Sequence, residues 1–81
     1  MFISTDVATV ILKPITALKN AVGNNVIVEL KGHREYRGIL DGYDMYMNVV
    51  LKDAEGFYNG KSVGKSATVI VRGDNVIYIS P

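Results

Sequence analysis

Two short segments of the sequence carry side chains that could bind a flat, polar ligand. Tyr46 offers an aromatic face on which a nucleic-acid base could stack, which is worth about 1–3 kcal/mol per base. Arg72 offers a planar cation that could stack on the other face of the base or hold a phosphate. Asn48 adds an amide with one acceptor and two donors, which matches the N3–H and carbonyl edge of uracil. The set predicts a pocket for an unstacked pyrimidine of single-stranded RNA.

Each of these residues also has an ordinary structural explanation. A tyrosine in a loop between strands is often a half-buried rim residue, and an asparagine at the start of a strand is often a turn former. Arg72 could be a solvated strand end paired with Asp74, and methionines such as Met45 and Met47 commonly fill a core. The residues taken singly leave both interpretations open.

Catalytic and metal-binding arrangements are poorly represented. His33 is the only histidine, there is no cysteine, and a predicted turn position explains His33 without catalysis. Asp41 and Asp44 have no third acidic residue at a useful spacing for Mg²⁺, and no glycine-rich phosphate loop is present. We therefore expect a binding protein and not an enzyme, with no metal and no cofactor.

Length and charge limit the possible classes further. The chain has 81 residues with nine basic and eight acidic side chains, so a formal net charge of +1 argues against binding nucleic acid by bulk charge. One small domain without disulfides has a thin stability margin, which favours oligomerisation. The apolar run over residues 7–12 ends at Lys13, short of the roughly 20 residues that span a bilayer, so we expect a cytoplasmic protein with no membrane partner.

The elements that must position these residues begin with a helix. Residues 1–13 are expected to form an extended N-terminal arm, because proline at position 14 disfavours helical geometry before it. A helix then starts at Pro14, with Ile15, Leu18 and Val22 as its apolar stripe, and Gly23 closes it. Residues 14–81 are predicted to form a single domain.

Beyond the helix, a period of two predicts a mainly β fold of five short, bent antiparallel strands that form a small barrel. The predicted strands cover residues 26–31, 34–43, 49–54, 67–72 and 75–80. Gly32-His33 suits a type II′ turn, Asn59-Gly60 is a turn within a longer connection, and Gly73-Asp74 joins the last two strands as a hairpin. That apolar hairpin is a natural place for a neighbouring subunit to add a strand, and a closed head-to-tail contact would give a ring.

In chain order, these segments resemble the Sm-like (LSm) family. Residues 26–51, which contain D-M-Y-M-N at 44–48, resemble the first motif of the family. Residues 69–79, which contain R-G-D at 72–74, resemble its second motif, and P-I-T-A-L-K before them resembles the usual helix. The resemblance implies a helix-capped, SH3-like barrel in a homo-oligomeric ring, usually a heptamer in archaeal members, in which the fourth strand pairs with the fifth strand of the next subunit.

The same resemblance implies binding of uridine-rich single-stranded RNA at the inner pore, as a scaffold or chaperone that meets RNA-processing proteins. The implied RNA-binding residues are Asp44, Tyr46, Asn48, Arg72, Gly73 and Asp74. Asn48 would hydrogen-bond the uracil between Tyr46 and Arg72, and Asp44 would orient Asn48. Tyr46 stands where the family often has histidine, which predicts a looser base preference, and His33 stands where it often has glycine. The alternative is a protein-interaction ring with weak or no RNA binding.

Overall fold

The computed structural model describes residues 3–4 and 14–80 of the chain. The elements, in chain order, are β1 (Ile3–Ser4), α1 (Pro14–Ala21), β2 (Asn25–Leu30), β3 (Arg34–Tyr43), β4 (Val49–Tyr58), β5 (Lys61–Val71), a 3-10 turn (Gly73–Asn75) and β6 (Val76–Ser80). The expected fold class is confirmed, with a short helix followed by five antiparallel strands, here β2 to β6. The predicted arm over residues 1–13 lies outside the described residues except for β1.

The strands form one sheet in the order β1-β6-β2-β3-β4-β5, with antiparallel pairs throughout. The register of β3 against β4 shifts on either side of Gly38 and again before Gly42, as expected for glycines that mark bends. At Gly38 a Cβ atom would lie 2.9 Å from the Lys52 carbonyl oxygen, so glycine permits the close approach there. These bends curl the sheet around its own core.

The core lies on the concave side of this sheet and follows the predicted alternation. Val26, Val28 and Leu30 of β2 are buried, as are Leu40 and Leu51 of the next two strands. Burial of such side chains is worth roughly 1.5–3 kcal/mol each. The core is closed by the helix, whose Leu18 is fully buried.

The predicted helix start at Pro14 is confirmed, but the apolar stripe is shorter than expected. Val22 is 43% exposed because the helix ends at Ala21, one residue before it. Gly23 then adopts a φ of +89°, which turns the chain, and its N–H donates to the Leu40 carbonyl at 2.8 Å. The side chain of Ile15 is outside the described part of the structure.

The long connection predicted over residues 55–65 is wrong in extent. β4 continues to Tyr58 and β5 begins at Lys61, so only the predicted Asn59-Gly60 turn separates them, with φ values of +51° and +80°. Glycine-rich composition suggested a loop here. Instead Gly56 and Gly64 lie opposite each other in the ladder, where the Tyr36 ring occupies the space that a side chain on Gly56 would need.

The predicted hairpin of the last two strands is also wrong. β5 pairs with β4, whereas β6 pairs with β2 on one side and with β1 on the other. The 3-10 turn redirects the chain so that Val76 and Ile79 reach the core, which holds β6 against β2. The outer edge of β5 has no partner strand among the described residues.

The first hairpin turn differs from the predicted type. Gly32 and His33 both have positive φ, +80° and +61°, whereas a type II′ turn needs positive φ only at its first central position. Leu30 pairs with Arg34 across a three-residue connection. Histidine tolerates a positive φ better than most non-glycine residues do, which agrees with a structural role for His33.

Candidate functional site

Two loops meet at one end of the barrel and form a cavity of 1060 Å³. One loop covers residues 44–48 between β3 and β4, and the other covers residues 72–75 between β5 and β6. They are neighbours because Val49, at the start of β4, pairs with both Tyr43 and Val71. The cavity lining includes all six residues singled out in the sequence: Asp44, Tyr46, Asn48, Arg72, Gly73 and Asp74.

The first loop is folded around the carboxylate of Asp44. Its Oδ1 accepts the backbone N–H of Tyr46 at 2.8 Å and that of Asn48 at 3.1 Å, as in the Asx turns that aspartate commonly forms. The backbone closes the same loop, since Met47 N–H donates to the Asp44 carbonyl at 3.2 Å. Met47 has a φ of +65° and packs against the core, whereas Met45 is 76% exposed, so only one of the two methionines is core filler.

The side-chain amide of Asn48 connects the two loops. Its Nδ2 donates to Asp44 Oδ2 at 2.8 Å, and its Oδ1 accepts the backbone N–H of Gly73 at 2.7 Å. A carboxylate only accepts and a backbone N–H only donates, so rotating this amide by 180° would break both bonds. The amide therefore has one fixed orientation, with one N–H and one oxygen lone pair still available to a ligand.

Gly73 is the residue that lets the loops approach so closely. A Cβ atom at this position would lie 1.9 Å from the Tyr46 carbonyl oxygen and 2.8 Å from the Met47 carbonyl carbon. Both contacts are with backbone, which cannot move aside as a flexible side chain would. The glycine thus holds its own N–H within reach of Asn48.

The two candidate stacking side chains are exposed to solvent at the mouth of the cavity. Tyr46 is 73% exposed, and the Arg72 side chain is 77% exposed. The Arg72 guanidinium contacts Asp74 at 3.2 Å, as the sequence suggested. An exposed ion pair of this kind is worth at most about 1 kcal/mol, so it can open readily for a ligand.

The hydrogen bonds to Asp44 also set its charge. The pKa of Asp44 is lowered from its ordinary value, chiefly by the hydrogen bond from the Asn48 side chain. Desolvation, the second cause in size, raises this pKa, and the backbone N–H groups of Tyr46 and Asn48 lower it further. Asp44 is consequently ionised at neutral pH and acts as an acceptor.

Several residues that line the cavity were not among the predicted site residues, for example Tyr43, Val50 and Ile70. Tyr43 directly precedes Asp44 at the end of β3, and that position was the available signal. Ile70 lies between Val69 and Val71 in β5, so the period of two places it on the opposite face, where it is 74% exposed. Its place beside the site follows from the pairing of Ile70 with Val50, which the sequence does not reveal.

A second depression, of 660 Å³, lies farther along the strands. Arg37, Asp53, Glu55 and Lys65 line it, so charges of both signs are mixed there and no aromatic side chain is available for stacking. No group of three or more histidine, cysteine or acidic side chains that could hold a metal occurs in residues 3–4 and 14–80. No helix in the described part of the chain is long and apolar enough to cross a membrane.

Known proteins resemble this chain in sequence. The family model described as "LSM domain" matches residues 16–81. A putative snRNP Sm-like protein of Thermoplasma volcanium is 55% identical over 69 residues, which are 85% of this chain and 83% of that protein. A putative snRNP Sm-like protein of Archaeoglobus fulgidus is 51% identical over 85% of this chain and 90% of its own length.

Solved structures agree. The Pyrococcus abyssii Sm protein, solved in complex with a uridine heptamer, superposes with a TM-score of 0.82 at 41% identity, over 86% of this chain and 99% of that one. A heptameric archaeal Sm protein gives a TM-score of 0.75 at 41% identity, over 82% and 96%. The predicted resemblance is confirmed, and the chain belongs to the LSM domain family.

Proposed function

We propose that this chain assembles with copies of itself into a ring, a heptamer, and binds uridine-rich single-stranded RNA at the inner pore. The observation that carries the proposal is the fixed amide of Asn48, clamped between the Asp44 carboxylate and the Gly73 N–H. The structures of a relative with a uridine heptamer and of heptameric relatives support it.

The remaining hydrogen-bonding groups of Asn48 would select uracil over cytosine. Uracil presents the N3–H donor beside a carbonyl acceptor, which complement the free lone pair of Asn48 Oδ1 and the free hydrogen on Nδ2. Cytosine in the same pose presents an acceptor at N3 and a donor at its exocyclic amine, so it would need the amide turned over. Turning the Asn48 amide over would break its hydrogen bonds to Asp44 and Gly73. Its oxygen would then face the Asp44 carboxylate and its NH₂ group would face the Gly73 N–H. Each unsatisfied polar group that is buried costs about 1–3 kcal/mol.

Affinity would come from the flanking side chains. A uracil beside Asn48 is placed to stack on the Tyr46 ring while the Arg72 guanidinium covers its second face, once the ion pair with Asp74 opens. Such stacking is tolerant of base identity, since every base has a π face. In this proposal, then, Tyr46 and Arg72 hold the base and Asn48 reads it.

Assembly would use the two edges of the sheet. The outer edge of β5 has no partner strand in the described part of the chain, and its apolar side chain Ile70 is 74% exposed. Pairing of β5 with β6 of the next subunit would cover Ile70 and bring the Arg72 side chains of all subunits around one pore. In that arrangement β1, which lies along β6 in the single chain, gives way to the neighbouring strand.

The wider role is a scaffold or chaperone for RNA, acting with RNA-processing proteins and without catalysis. A cytoplasmic location, and the division into an arm over residues 1–13 and one domain over residues 14–81, stay predictions from the sequence. A ring that binds proteins instead of RNA is the competing possibility, and the binding experiment separates the two.

Fluorescence anisotropy with labelled oligouridine and oligocytidine, together with light scattering for the mass, tests the proposal. We expect the wild type to prefer oligouridine, Asn48→Ala to bind both oligomers alike, and Arg72→Ala to lose about 1–3 kcal/mol for each stacked base. Asn20→Ala, an exposed helix position, is the matched control and should bind as the wild type does. Equal binding of the two oligomers by the wild type, or a monomeric mass at micromolar concentration, would contradict the proposal.

A further inference from the structure

A second surface with aromatic and cationic side chains lies at the opposite ends of β3, β4 and β5. Arg34, Tyr58 and Lys61 are directly opposite one another in the ladder, so their side chains project from the same face of the sheet. Tyr36 lies two residues along β3 on that same face and packs partly against the core. We call these four residues, with Val63, the hairpin-end patch.

The acidic side chains near the patch have partners of their own. The next row of the ladder joins Glu35, Phe57 and Ser62 on the other face. There Glu35 is paired with Arg37, whose guanidinium carbon lies 4.5 Å from the centre of the Phe57 ring. Glu55, opposite Arg37, accepts a hydrogen bond from the Ser62 hydroxyl at 2.6 Å. Glu35 and Glu55 are therefore each engaged by a neighbouring side chain, and the patch itself carries two cations, Arg34 and Lys61.

The patch is also concave. A depression of 350 Å³ lies beside it, and its lining residues are Arg34, Glu35, Tyr36, Gly56, Phe57, Tyr58 and Val63. Gly56 forms part of its floor, since a Cβ atom there would meet the Tyr36 ring at 3.0 Å and Val63 Cγ2 at 3.3 Å. Tyr58 is 48% exposed and Val63 is 68% exposed, so apolar and aromatic surface is accessible at its rim.

We propose that the hairpin-end patch is a second contact for single-stranded RNA, which holds nucleotides that flank the segment bound at Asn48. Tyr58 supplies a stacking face, and Arg34 and Lys61 supply the positive charge that a phosphate backbone complements. The Glu35 carboxylate at the depression is paired with Arg37, and stacking and phosphate contacts tolerate any base, so we expect binding without regard to sequence. This inference rests on the proposed function. It adds a nonspecific RNA contact at the hairpin-end patch to the base-specific site at Asn48.

The two sites can be tested separately because they need different lengths of RNA. A uridine heptamer serves as the probe of the Asn48 site, and an oligouridine of about 20 nucleotides, longer than one site of this kind covers, serves as the probe of both. The full chain carrying Arg34→Ala, Tyr58→Ala and Lys61→Ala together should bind the heptamer as the wild type does. We expect it to bind the longer RNA about tenfold or more weakly, and with a smaller dependence on salt.

Two control variants keep the result specific. Lys65→Ala removes a cation from the same strand but on the other face, opposite Glu55, and should leave the affinity for both RNAs unchanged. Tyr58→Phe keeps the aromatic ring and should retain the affinity for the longer RNA. If the triple variant binds the longer RNA as tightly as the wild type does, the inference is wrong while the proposed function stands.

Two further outcomes are distinguishable. Failure of the wild type to bind the uridine heptamer would overturn the proposed function, whatever the longer RNA does. A triple variant that changes the mass of the assembly in light scattering would show the patch to be a contact between copies of the chain. That result would overturn the RNA inference.

Discussion

The loop end of the barrel and the outer edge of β5 differ in how their polar groups are satisfied. At the end formed by residues 44–48 and 72–75, the hydrogen bonds of Asp44 and Asn48 fix the amide of Asn48 before any ligand arrives. Along β5 most residues are exposed and the outer edge has no partner strand in the described part of the chain. The chain alone fixes the polar groups of the first region, whereas in the proposed ring a second copy completes the second region.

We expect the largest change in the free energy of unfolding from Gly73→Ala. The added methyl group would lie 1.9 Å from the Tyr46 carbonyl oxygen, so the two loops must separate. We expect a loss of about 3 kcal/mol in the free energy of unfolding, at the upper end of what overpacking costs. Urea unfolding measures this loss, and binding of oligouridine should disappear with it.

Gly42→Ala is the matched control for that substitution. Gly42 lines the same cavity, but a Cβ atom there meets nothing within 4 Å. The free energy of unfolding of the Gly42→Ala variant should therefore stay within about 0.5 kcal/mol of the wild-type value. If Gly73→Ala were equally harmless, the loops would not be held together as tightly as their contacts indicate.

A smaller effect is expected from acid. The pKa of Asp44 is lower in the folded chain than in the unfolded one, so the unfolded chain takes up its proton first as the pH falls. The contribution of Asp44 to stability is therefore present above its ordinary pKa of 3.8 and is lost as the pH falls through the lowered value. Oligouridine affinity should accordingly show no step from Asp44 between neutral pH and that range.

The variant Asp44→Asn distinguishes the effect of the Asp44 charge on stability from the effects of the other carboxylates. The variant should lack the Asp44 contribution to the acid-induced loss of stability, measured by unfolding at successive pH values. Its preference for oligouridine over oligocytidine should be reduced already at neutral pH, since an amide at position 44 can donate as well as accept and no longer fixes Asn48. Unchanged selectivity would mean that Gly73 alone orients Asn48.

The smallest effect on the single chain is expected at the exposed edge. Ile70→Asp replaces a side chain that is 74% exposed, so the free energy of unfolding of the unassembled chain should change by no more than about 0.5 kcal/mol. The mass measured by light scattering should nevertheless fall, because the proposed pairing of β5 with β6 would bury this side chain. Thr68→Asp changes an exposed polar side chain on the same side of β5, and comparison of the two variants separates the loss of apolar surface from the added charge.

Much of the fold was predictable because its signals are local. The alternation in β2, the helix start at Pro14 and the turn at Asn59-Gly60 all follow from periodicity or turn chemistry within a few residues. The hairpin expected between the last two strands failed because β6 is held by long-range burial of Val76 and Ile79. Strand pairing across such distances is decided by packing, which a single sequence does not display.

The site shows the same difference between local signals, which the sequence displays, and long-range contacts, which it does not. Its six residues were identified from their types and from the family motifs, and the structure brings all of them to one cavity. The contact between the Asn48 side chain and the Gly73 N–H joins residues 25 positions apart, and no local pattern predicts it. The requirement for glycine at position 73 is likewise set by Tyr46, a residue of the other loop.

The hydrogen bond between Asn48 and Gly73 also has a consequence for motion. Each end of it is anchored beside a strand of the sheet, since Asn48 precedes β4 and Gly73 follows β5. The surface side chains of a protein usually change rotamer within nanoseconds. The Asn48 side chain must first break its hydrogen bonds to Asp44 and Gly73, so we expect its polar edge to rearrange more slowly than a free surface side chain does.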